Sequence, residues 1–173
     1  NTCTDQEWNR VTSAAGNLSD MDILINDNAG LTIQEIRSEA RKMKLKYGLD
    51  LIIIDYIEKV GWSDNRLDKH ERIFKVTEQI SQMDKELNTH TILISQLNRN
   101  CEHRNNKRPI LSDLKASGGL EQEAHNILFL YRHAMYDEDI PSGIKGVTEL
   151  ILGAARNIPK GKTFLDFENR FNR

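Results

Sequence analysis

Two largely apolar runs in this sequence end in polar side chains of the kind that bind nucleotides. Asp55 follows the run Leu51 to Ile54, and Gln96 follows the run Thr91 to Ser95. Such runs are typical of parallel strands buried on both faces, and parallel strands bring their carboxyl ends to one edge of a sheet, where ligands bind. A carboxylate there can hold Mg²⁺ through water, and a neutral amide can contact a γ-phosphate or orient an attacking water.

A glycine-containing segment and a single arginine offer further contacts to phosphate. The segment Ser112 to Gln122 contains Lys115 and two glycines. Backbone N–H groups in such a loop, together with the lysine cation, can bind the backbone of a single-stranded nucleic acid. Arg156 follows the apolar run Val147 to Gly153. It can project from the domain edge toward the nucleotide of a neighbouring subunit.

Each of these four features also has a purely structural explanation. An aspartate at a strand end is more often simply solvated, and a glutamine after a strand more often caps a loop. A glycine-containing segment is equally typical of a surface turn, and a lone arginine is more often an ordinary surface residue. The chemistry therefore depends on whether the four features act together.

Helix-start signals divide the chain into segments that can position these side chains. Capping boxes at Thr4 to Glu7 and Thr32 to Glu35 each predict a helix, and Asp68 or a neighbour can cap a third. The second helix carries one apolar stripe and should end at Gly48. That stripe consists of Ile33, Ile36, Ala40, Met43 and Tyr47. The stripe of the third helix consists of Ile73, Val76, Ile80, Met83 and Leu87.

Apolar runs between the helices predict the strands of an α/β fold. The predicted strands are Ile23 to Ile25, Leu49 to Ile54, Thr91 to Ser95, Ile127 to Tyr131, Val147 to Gly153 and Thr163 to Phe167. The last three follow one another without helices, which predicts antiparallel strands at the sheet edge. Between them and the earlier strands, Ser112 to Ala124 is expected to form a helical turn, a Ser-Gly-Gly break and a second turn.

Composition sets limits on the class of protein. The chain has 173 residues, enough for one domain, and its net charge is −2 from 24 basic and 26 acidic residues. A nucleic acid would therefore be held by local clusters, of which the basic stretch Arg99 to Arg108 is an example that also suits a solvated loop. No apolar run approaches the roughly 20 residues of a membrane span. Cys3 and Cys101 lack a CxxC partner, and the five histidines lack metal-ligand spacing.

The order and spacing of these features resemble the core of DnaB-family replicative DNA helicases. Leu51 to Tyr56 matches the family's Walker B strand, and Ser95 to Arg99 matches its Ser-Gln-Leu-Asn-Arg motif. Arg108 to Gln122 resembles its Arg-Pro…Ser-Asp-Leu-Arg-Glu-Ser-Gly…Glu-Gln segment. Ile127 to Arg132 and Gly153 to Gly161 match its last core strands. The likeness covers nearly the whole chain.

The resemblance implies a RecA-like three-layer α/β fold, with a mostly parallel central sheet and antiparallel strands at its C-terminal edge. It also implies an ATP-dependent DNA helicase that works as a homo-hexameric ring on single-stranded DNA and unwinds duplex. A helicase loader and primase would be further partners. The implied location is the cytoplasm of a bacterial or phage-infected cell, with no membrane association.

The resemblance further implies roles for individual residues, with ATP and Mg²⁺ as cofactors. Asp55 corresponds to the Walker B acid that positions Mg²⁺, through water, and Gln96 to the γ-phosphate sensor that couples hydrolysis to the DNA loops. Arg156 matches the arginine finger delivered in trans. The family's contacts with the DNA backbone fall on Lys115, Ala116 and Gly118.

Three positions depart from the family pattern. The finger reads Ala154-Ala155-Arg156 where the family usually has Lys-x-Arg, so positive charge is lost there. The DNA loop has Lys115-Ala116 where the family often has Arg-Glu, and lysine lacks the guanidinium fork. Glu58 stands where the family usually has glutamine.

The sequence contains no GxxxxGK[ST] phosphate-binding loop. Gly161-Lys162-Thr163 is a partial match, but Arg156 occupies the position of the first glycine and a strand follows where a helix is required. In the family that the chain resembles, this loop lies upstream of the matching region. The resemblance thus implies that residues 1–173 are the C-terminal portion of one RecA-like ATPase domain whose phosphate loop lies upstream. The isolated piece is expected to be inactive.

Two other functions remain open. The chain can be a catalytically lapsed RecA-like module for binding or ring assembly, or a RecA-type recombinase paralogue. Ala154 favours the lapsed module, whereas Asp55, Gln96 and Arg156 together favour the motor. The segments Ser95 to Arg99 and Ser112 to Gln122 favour the helicase over the recombinase.

Overall fold

The computed structural model describes residues 3–62, 66–114, 117–136 and 146–168. Its helices and strands, in chain order, are α1 (Asp5–Ser19), α2 (Ile33–Tyr47), β1 (Leu51–Ile54), α3 (Lys69–Leu87), β2 (His90–Leu93), α4 (Ser117–Glu123), β3 (Asn126–Arg132), β4 (Val147–Ala155) and β5 (Gly161–Asp166). Short 3-10 turns follow β1 (Ile57–Lys59) and β2 (Arg99–His103), and another precedes α4 (Leu111–Asp113).

The three long helices begin where their capping residues predict. Thr4, Thr32 and Asp68 each accept a hydrogen bond from the backbone three residues later, and a glutamate at that third position returns the contact. Gly48 ends α2 with a φ of 78°, a left-handed conformation that a residue with a Cβ rarely adopts. Local sequence therefore determines where these helices start, and for α2 where it stops.

The hydrophobic core is formed by α2, α3, β1 and the turn after β1, with Leu120 of α4 packed into it. The stripe of α3 is confirmed, since Ile73, Val76, Ile80 and Met83 are buried and Leu87 packs against them. Ile33 and Ala40 of α2 are also buried, but Tyr47 is 60% exposed, so the predicted stripe of α2 is wrong at its last position. Tyr47 is the last residue of the helix, where the chain turns away at Gly48.

The strands form a parallel pair and an antiparallel sheet. β1 pairs with β2 in parallel, from Leu51 opposite His90 to Ile54 opposite Leu93, and α3 makes the connection between them. β3, β4 and β5 form an antiparallel sheet in that order. The predicted antiparallel pairing of the last three strands is confirmed, and the strands start and end within two residues of the predicted bounds. They form a sheet of their own, however, and no ladder among the described residues joins them to β1 and β2 as the edge of one sheet.

The prediction of a strand at Ile23 to Ile25 is wrong. These residues join no ladder, and Ile25 is 84% exposed. A strand needs a hydrogen-bonding partner, and none of the residues that the structure describes supplies one here. An apolar triplet alone carries no information about its partner.

The prediction that the Leu49 to Ile54 strand is covered on both faces is also wrong within the described residues. Ile54 is buried in the core, whereas Leu51 and Ile53 are 48% and 61% exposed. β3 shows the same alternation, because Phe129 is buried and Leu130 is 64% exposed. Successive strand residues face opposite sides of a sheet, and only one side is packed here.

The two glycines of the Ser-Gly-Gly segment lie within α4, so the predicted break between two turns is wrong. A Cβ placed on Gly119 would lie 2.7 Å from the Cα of Phe74 in α3, whereas a Cβ on Gly118 would meet nothing within 4 Å. Gly119 is thus required by the close approach of two helices and not by a turn. No helix in the described part of the chain is long and apolar enough to cross a membrane.

Candidate functional site

Asp55 and Gln96 lie at the same edge of the parallel pair. The ladder between β1 and β2 continues past their ends, since Ile94 donates to the carbonyl of Ile54 at 3.0 Å and Ile57 donates to the carbonyl of Ile94 at 2.9 Å. Asp55 and Gln96 are both exposed just beyond these contacts. The parallel pairing of the two strands therefore brings a carboxylate and an amide to one solvent-facing edge.

Glu58 links the two strand ends directly. One of its carboxylate oxygens, Oε1, accepts hydrogen bonds from the Ser95 hydroxyl at 3.1 Å and from the Gln96 backbone N–H at 3.2 Å. The other oxygen, Oε2, is buried and has no hydrogen-bond partner among the described residues. In the sequence Glu58 stands out only as a departure from the family pattern, because its partners lie 37 and 38 residues away.

The segment that carries Gln96 is hydrogen-bonded to the segment that leads into the predicted DNA loop. Leu97 and Leu114 form an antiparallel bridge, and Asn98 donates to the carbonyl of Asp113 at 2.7 Å. Lys115 and Ala116, predicted to contact DNA, lie outside the described residues. Gly118 is exposed in the first turn of α4.

A buried carboxylate occupies this junction. Asp113 is 4% exposed, and its carboxylate accepts bonds from Arg104 at 2.6 and 3.1 Å and from the backbone of Ile110 at 2.8 Å. Arg104 also donates to the carbonyl of Arg108 at 2.9 Å. Arg104 is therefore engaged within its own chain, which the sequence could not indicate.

A second ion pair joins the basic stretch to the antiparallel sheet. Arg108 donates to both oxygens of Glu149 at 2.5 and 2.9 Å, and Lys162 donates to one of them at 3.3 Å. Hydrogen bonds from Arg108, aided by the one from Lys162 and opposed by burial, hold the pKa of Glu149 below its ordinary value. The Arg108 guanidinium also lies 4.9 Å from the ring centre of Tyr131.

Arg156 follows β4 directly, as predicted, and is exposed. Its Nη2 group donates to the carbonyl oxygens of Gln122 at 2.7 Å and Glu123 at 3.2 Å, at the carboxyl end of α4. Its backbone N–H donates to the carbonyl of His125 at 3.1 Å. Positive charge is favourable at a helix carboxyl terminus, so α4 holds the guanidinium at the surface.

A groove of about 620 Å³ lies elsewhere, between the segment Pro109 to Ser112 and the strands β4 and β5. Its lining is mostly apolar, with Phe129, Ile151 and Leu152 among the contributing side chains. Neither Asp55 nor Gln96 lines it. The groove is thus separate from the residues whose chemistry suits phosphate.

The residues at the β1–β2 edge suit a metal ion held mainly by water and phosphate. Asp55 supplies one exposed carboxylate, and no group of three His, Cys, Asp or Glu side chains that could hold a metal occurs among the residues described. Mg²⁺ in nucleotide sites usually keeps several waters and takes one or two protein carboxylates together with phosphate oxygens. The donor set therefore fits Mg²⁺ bound with a nucleotide.

Comparison with known proteins gives consistent matches over the whole chain. A family model described as the DnaB-like helicase C terminal domain matches residues 1–173. Replicative DNA helicase DnaC of Bacillus subtilis strain 168 is 34% identical over 98% of this chain and 37% of its own length. Replicative DNA helicase DnaB of Haemophilus influenzae is 38% identical over 96% of this chain and 36% of its own length. The chain thus spans just over a third of the curated relatives it matches.

Two solved structures share the fold. One, described as an ATPase domain, superposes with a TM-score of 0.91 at 33% identity, covering 98% of this chain and 60% of that one. A DnaB-like replicative helicase, described with its interactions with primase, has a TM-score of 0.88 at 34% identity, covering 95% of this chain and 39% of that one. These matches confirm the predicted RecA-like α/β fold.

Proposed function

Because this chain belongs to the DnaB-like helicase C-terminal domain family, we propose that it forms part of the ATP-driven motor of a hexameric replicative helicase. The motor moves along single-stranded DNA and unwinds duplex. One observation carries the proposal: Asp55 and Gln96 share one sheet edge, and the Gln96 segment is hydrogen-bonded to the segment that enters the DNA loop. A sensor and a DNA contact joined in this way can couple hydrolysis to movement.

The nucleotide site combines residues of this chain with a phosphate loop from outside residues 1–173. No GxxxxGK[ST] motif occurs in the 173 residues, which supports reading them as the C-terminal portion of one ATPase domain. By themselves, these residues are expected to bind ATP poorly and not to hydrolyse it. Bound Mg²⁺ supplies charge neutralisation at the phosphates.

Asp55 and Gln96 have distinct tasks at this site. Asp55 would hold Mg²⁺ through water, because Mg²⁺ in nucleotide sites usually keeps several waters and takes only one or two protein carboxylates. The Gln96 amide can donate to a γ-phosphate oxygen or accept from the attacking water. Glu58 fixes the backbone of Gln96, so that the amide starts from a defined position.

Arg156 acts on the nucleotide of the adjoining subunit. Its guanidinium is exposed and only Nη2 contacts the α4 carbonyls, so the other N–H groups can face a phosphate. A head-to-tail ring places the same edge of every subunit against the opposite edge of its neighbour. Such an arginine stabilises the charge that develops during phosphoryl transfer.

Lys115, Ala116 and Gly118 contact the phosphate backbone of single-stranded DNA. The exposure of Gly118 supports this, since a glycine without a Cβ lets a ligand approach the backbone closely. A homo-hexamer, a helicase loader and primase are the proposed protein partners, and the cytoplasm is the proposed location. One structural relative, a DnaB-like replicative helicase, is described with its interactions with primase, which supports primase as a partner.

A catalytically lapsed ring-assembly module is the second candidate. The observation in its favour is Ala154, which lies in β4 opposite Ile127 where the family pattern has a lysine. With that lysine absent, Arg156 is the one cation in the stretch Ala154 to Arg156. Measured ATP turnover separates the two functions, because a lapsed module has none.

The test is DNA-stimulated ATPase activity of the intact gene product. Asp55→Ala is expected to lower turnover at least about a hundredfold, since it removes the carboxylate that orients the metal ion. Asp50→Ala is the matched control, because Asp50 is an exposed carboxylate at the opposite end of β1. Wild-type turnover in Asp55→Ala, or no turnover in the wild type, would refute the motor.

A further inference from the structure

The junction between the Gln96 segment and the DNA loop is built around one buried ion pair. Asp113, the last residue of its 3-10 turn, is 4% exposed and accepts from both terminal nitrogens of Arg104. It also accepts from the Ile110 backbone N–H at 2.8 Å. A buried carboxylate is tolerated only when such partners satisfy it, so this geometry depends on the arginine.

Asp113 touches both of the segments that the motor must couple. Its carbonyl accepts from the N–H of Asn98, two residues after Gln96. The residue that follows it, Leu114, bridges to Leu97. Two residues after Asp113 the chain reaches Lys115, so a single residue separates the Arg104–Asp113 pair from the predicted DNA contact.

Arg104 comes from the stretch that leaves the Gln96 segment. The chain runs from Asn98 through the Arg99–His103 turn and folds back, so that Arg104 reaches Asp113 and the Arg108 carbonyl. Its forked guanidinium closes the loop between positions 98 and 113. Although Arg104 belongs to a basic stretch that suits DNA, three hydrogen bonds direct it inward.

We infer that the Arg104–Asp113 pair positions this junction so that the nucleotide state sensed at Gln96 alters the affinity of the loop for single-stranded DNA. The inference rests on the proposed function, because it needs a nucleotide at the β1–β2 edge. Arg104 and Asp113 are positioning residues and bind neither ligand. They hold the two segments in register, so that a shift at Gln96 moves the start of the loop.

The experiment measures how strongly a bound nucleotide changes the affinity for single-stranded DNA. In the intact gene product, the Kd of a labelled oligo-dT is measured with and without a non-hydrolysable ATP analogue. The wild type is expected to give a ratio of about 5 or more between the two Kd values, the usual range for coupled sites. Asp113→Asn should bring the ratio close to 1, since the neutral amide binds the arginine more weakly.

Two further variants separate positioning from simple stability. Arg104→Lys keeps the charge but loses the fork, so it should give an intermediate ratio, and it serves in place of Asp113→Asn if that variant does not fold. Glu149→Gln is the matched control, because Glu149 is 7% exposed and bonded twice by Arg108. It should lower the unfolding temperature and leave the ratio unchanged.

The outcomes distinguish this inference from the function on which it rests. If Asp113→Asn and Arg104→Lys both keep the wild-type ratio of Kd values, the inferred role of the Arg104–Asp113 pair is overturned, and the helicase proposal still stands. An equal loss of coupling in Glu149→Gln would also overturn that role, since any buried ion pair would then do the same. If the wild type binds neither oligo-dT nor the analogue, the proposed function fails together with the inference.

Discussion

Glu58 holds the Gln96 segment at two points, the Ser95 hydroxyl and the Gln96 N–H. Glu58→Ala removes the carboxylate oxygen that accepts both of these hydrogen bonds, so the backbone of Gln96 is no longer held. We expect the DNA-stimulated kcat to fall about tenfold or more, with a smaller change in KM for ATP, because misplacement of a positioned group mainly affects the reacting geometry. Steady-state ATPase kinetics of the intact gene product would measure both constants.

Glu58→Gln is the matched control for that prediction. The glutamine retains a carbonyl oxygen that can accept from both donors, so most of the activity should return. Equal impairment of the glutamine and alanine variants would contradict positioning and would indicate that the negative charge itself is required.

Glu149 should contribute stability that depends on pH. Hydrogen bonds from Arg108 lower its pKa. Burial opposes this lowering, and the hydrogen bond from Lys162 adds to it. A lowered pKa in the folded state adds stability above the unfolded value of about 4.3, and that stability is lost as the pH falls through the folded value. The unfolding-temperature gap between the wild type and Glu149→Gln should be largest near neutral pH and shrink in acid. A gap that stays constant down to about pH 3 would contradict this.

At the level of single residues, the sequence predicts the positions of Asp55 and Gln96 better than their surroundings. Both follow apolar runs, and parallel pairing of such runs fixes a common edge. Glu58 and Asp113 could not be identified in this way, because their roles come from contacts between residues distant in sequence. The sequence assigns Arg104 only to a basic loop, since spacing alone does not reveal that its partner is a buried carboxylate.

Among the secondary-structure elements, the packing of α3 against α4 depends on Gly119. Gly119→Ala puts a Cβ 2.7 Å from the Phe74 Cα, so the helices must separate. We expect the free energy of unfolding to fall by about 1–3 kcal/mol, the usual cost of overpacking. Denaturant unfolding followed by circular dichroism would measure it.

Gly118→Ala is the control for that substitution, since its Cβ meets nothing within 4 Å. Alanine is the better helix former, so stability should hold or rise by less than about 1 kcal/mol. Equal destabilisation by both alanines would show that helix contact is not the reason Gly119 is required.

Local sequence signals predict a secondary-structure element well when the hydrogen bonds that define it lie within the element. The capping residues Thr4, Thr32 and Asp68 gave correct helix starts, because their hydrogen bonds lie within four residues. The strand predicted at Ile23 to Ile25 is wrong, because a strand forms only with a hydrogen-bonded partner. The Gly118–Gly119 pair predicts a break, although Gly119 is required by the close approach of a neighbouring helix.

For the whole molecule, the family resemblance predicted the fold, whereas burial patterns did not follow from the sequence. An apolar run such as Leu51 to Ile54 has the same appearance whether one face or both are packed within the chain. The structure leaves Leu51, Ile53 and Leu130 exposed. The net charge of −2 likewise gives no indication of DNA binding, which the proposal assigns to one loop.

Action across subunits is the central claim at this scale, and a subunit-mixing assay of the intact gene product tests it most directly. Asp55→Ala and Arg156→Ala proteins, each inactive alone, are mixed in equal amounts and reassembled, and DNA-stimulated ATPase is measured. In a ring with a finger in trans, about a quarter of the interfaces join an intact Asp55 to an intact Arg156, so about a quarter of wild-type activity should return. If both residues served the same subunit, no interface would be complete, and activity that stays at the level of the separate variants would contradict the account.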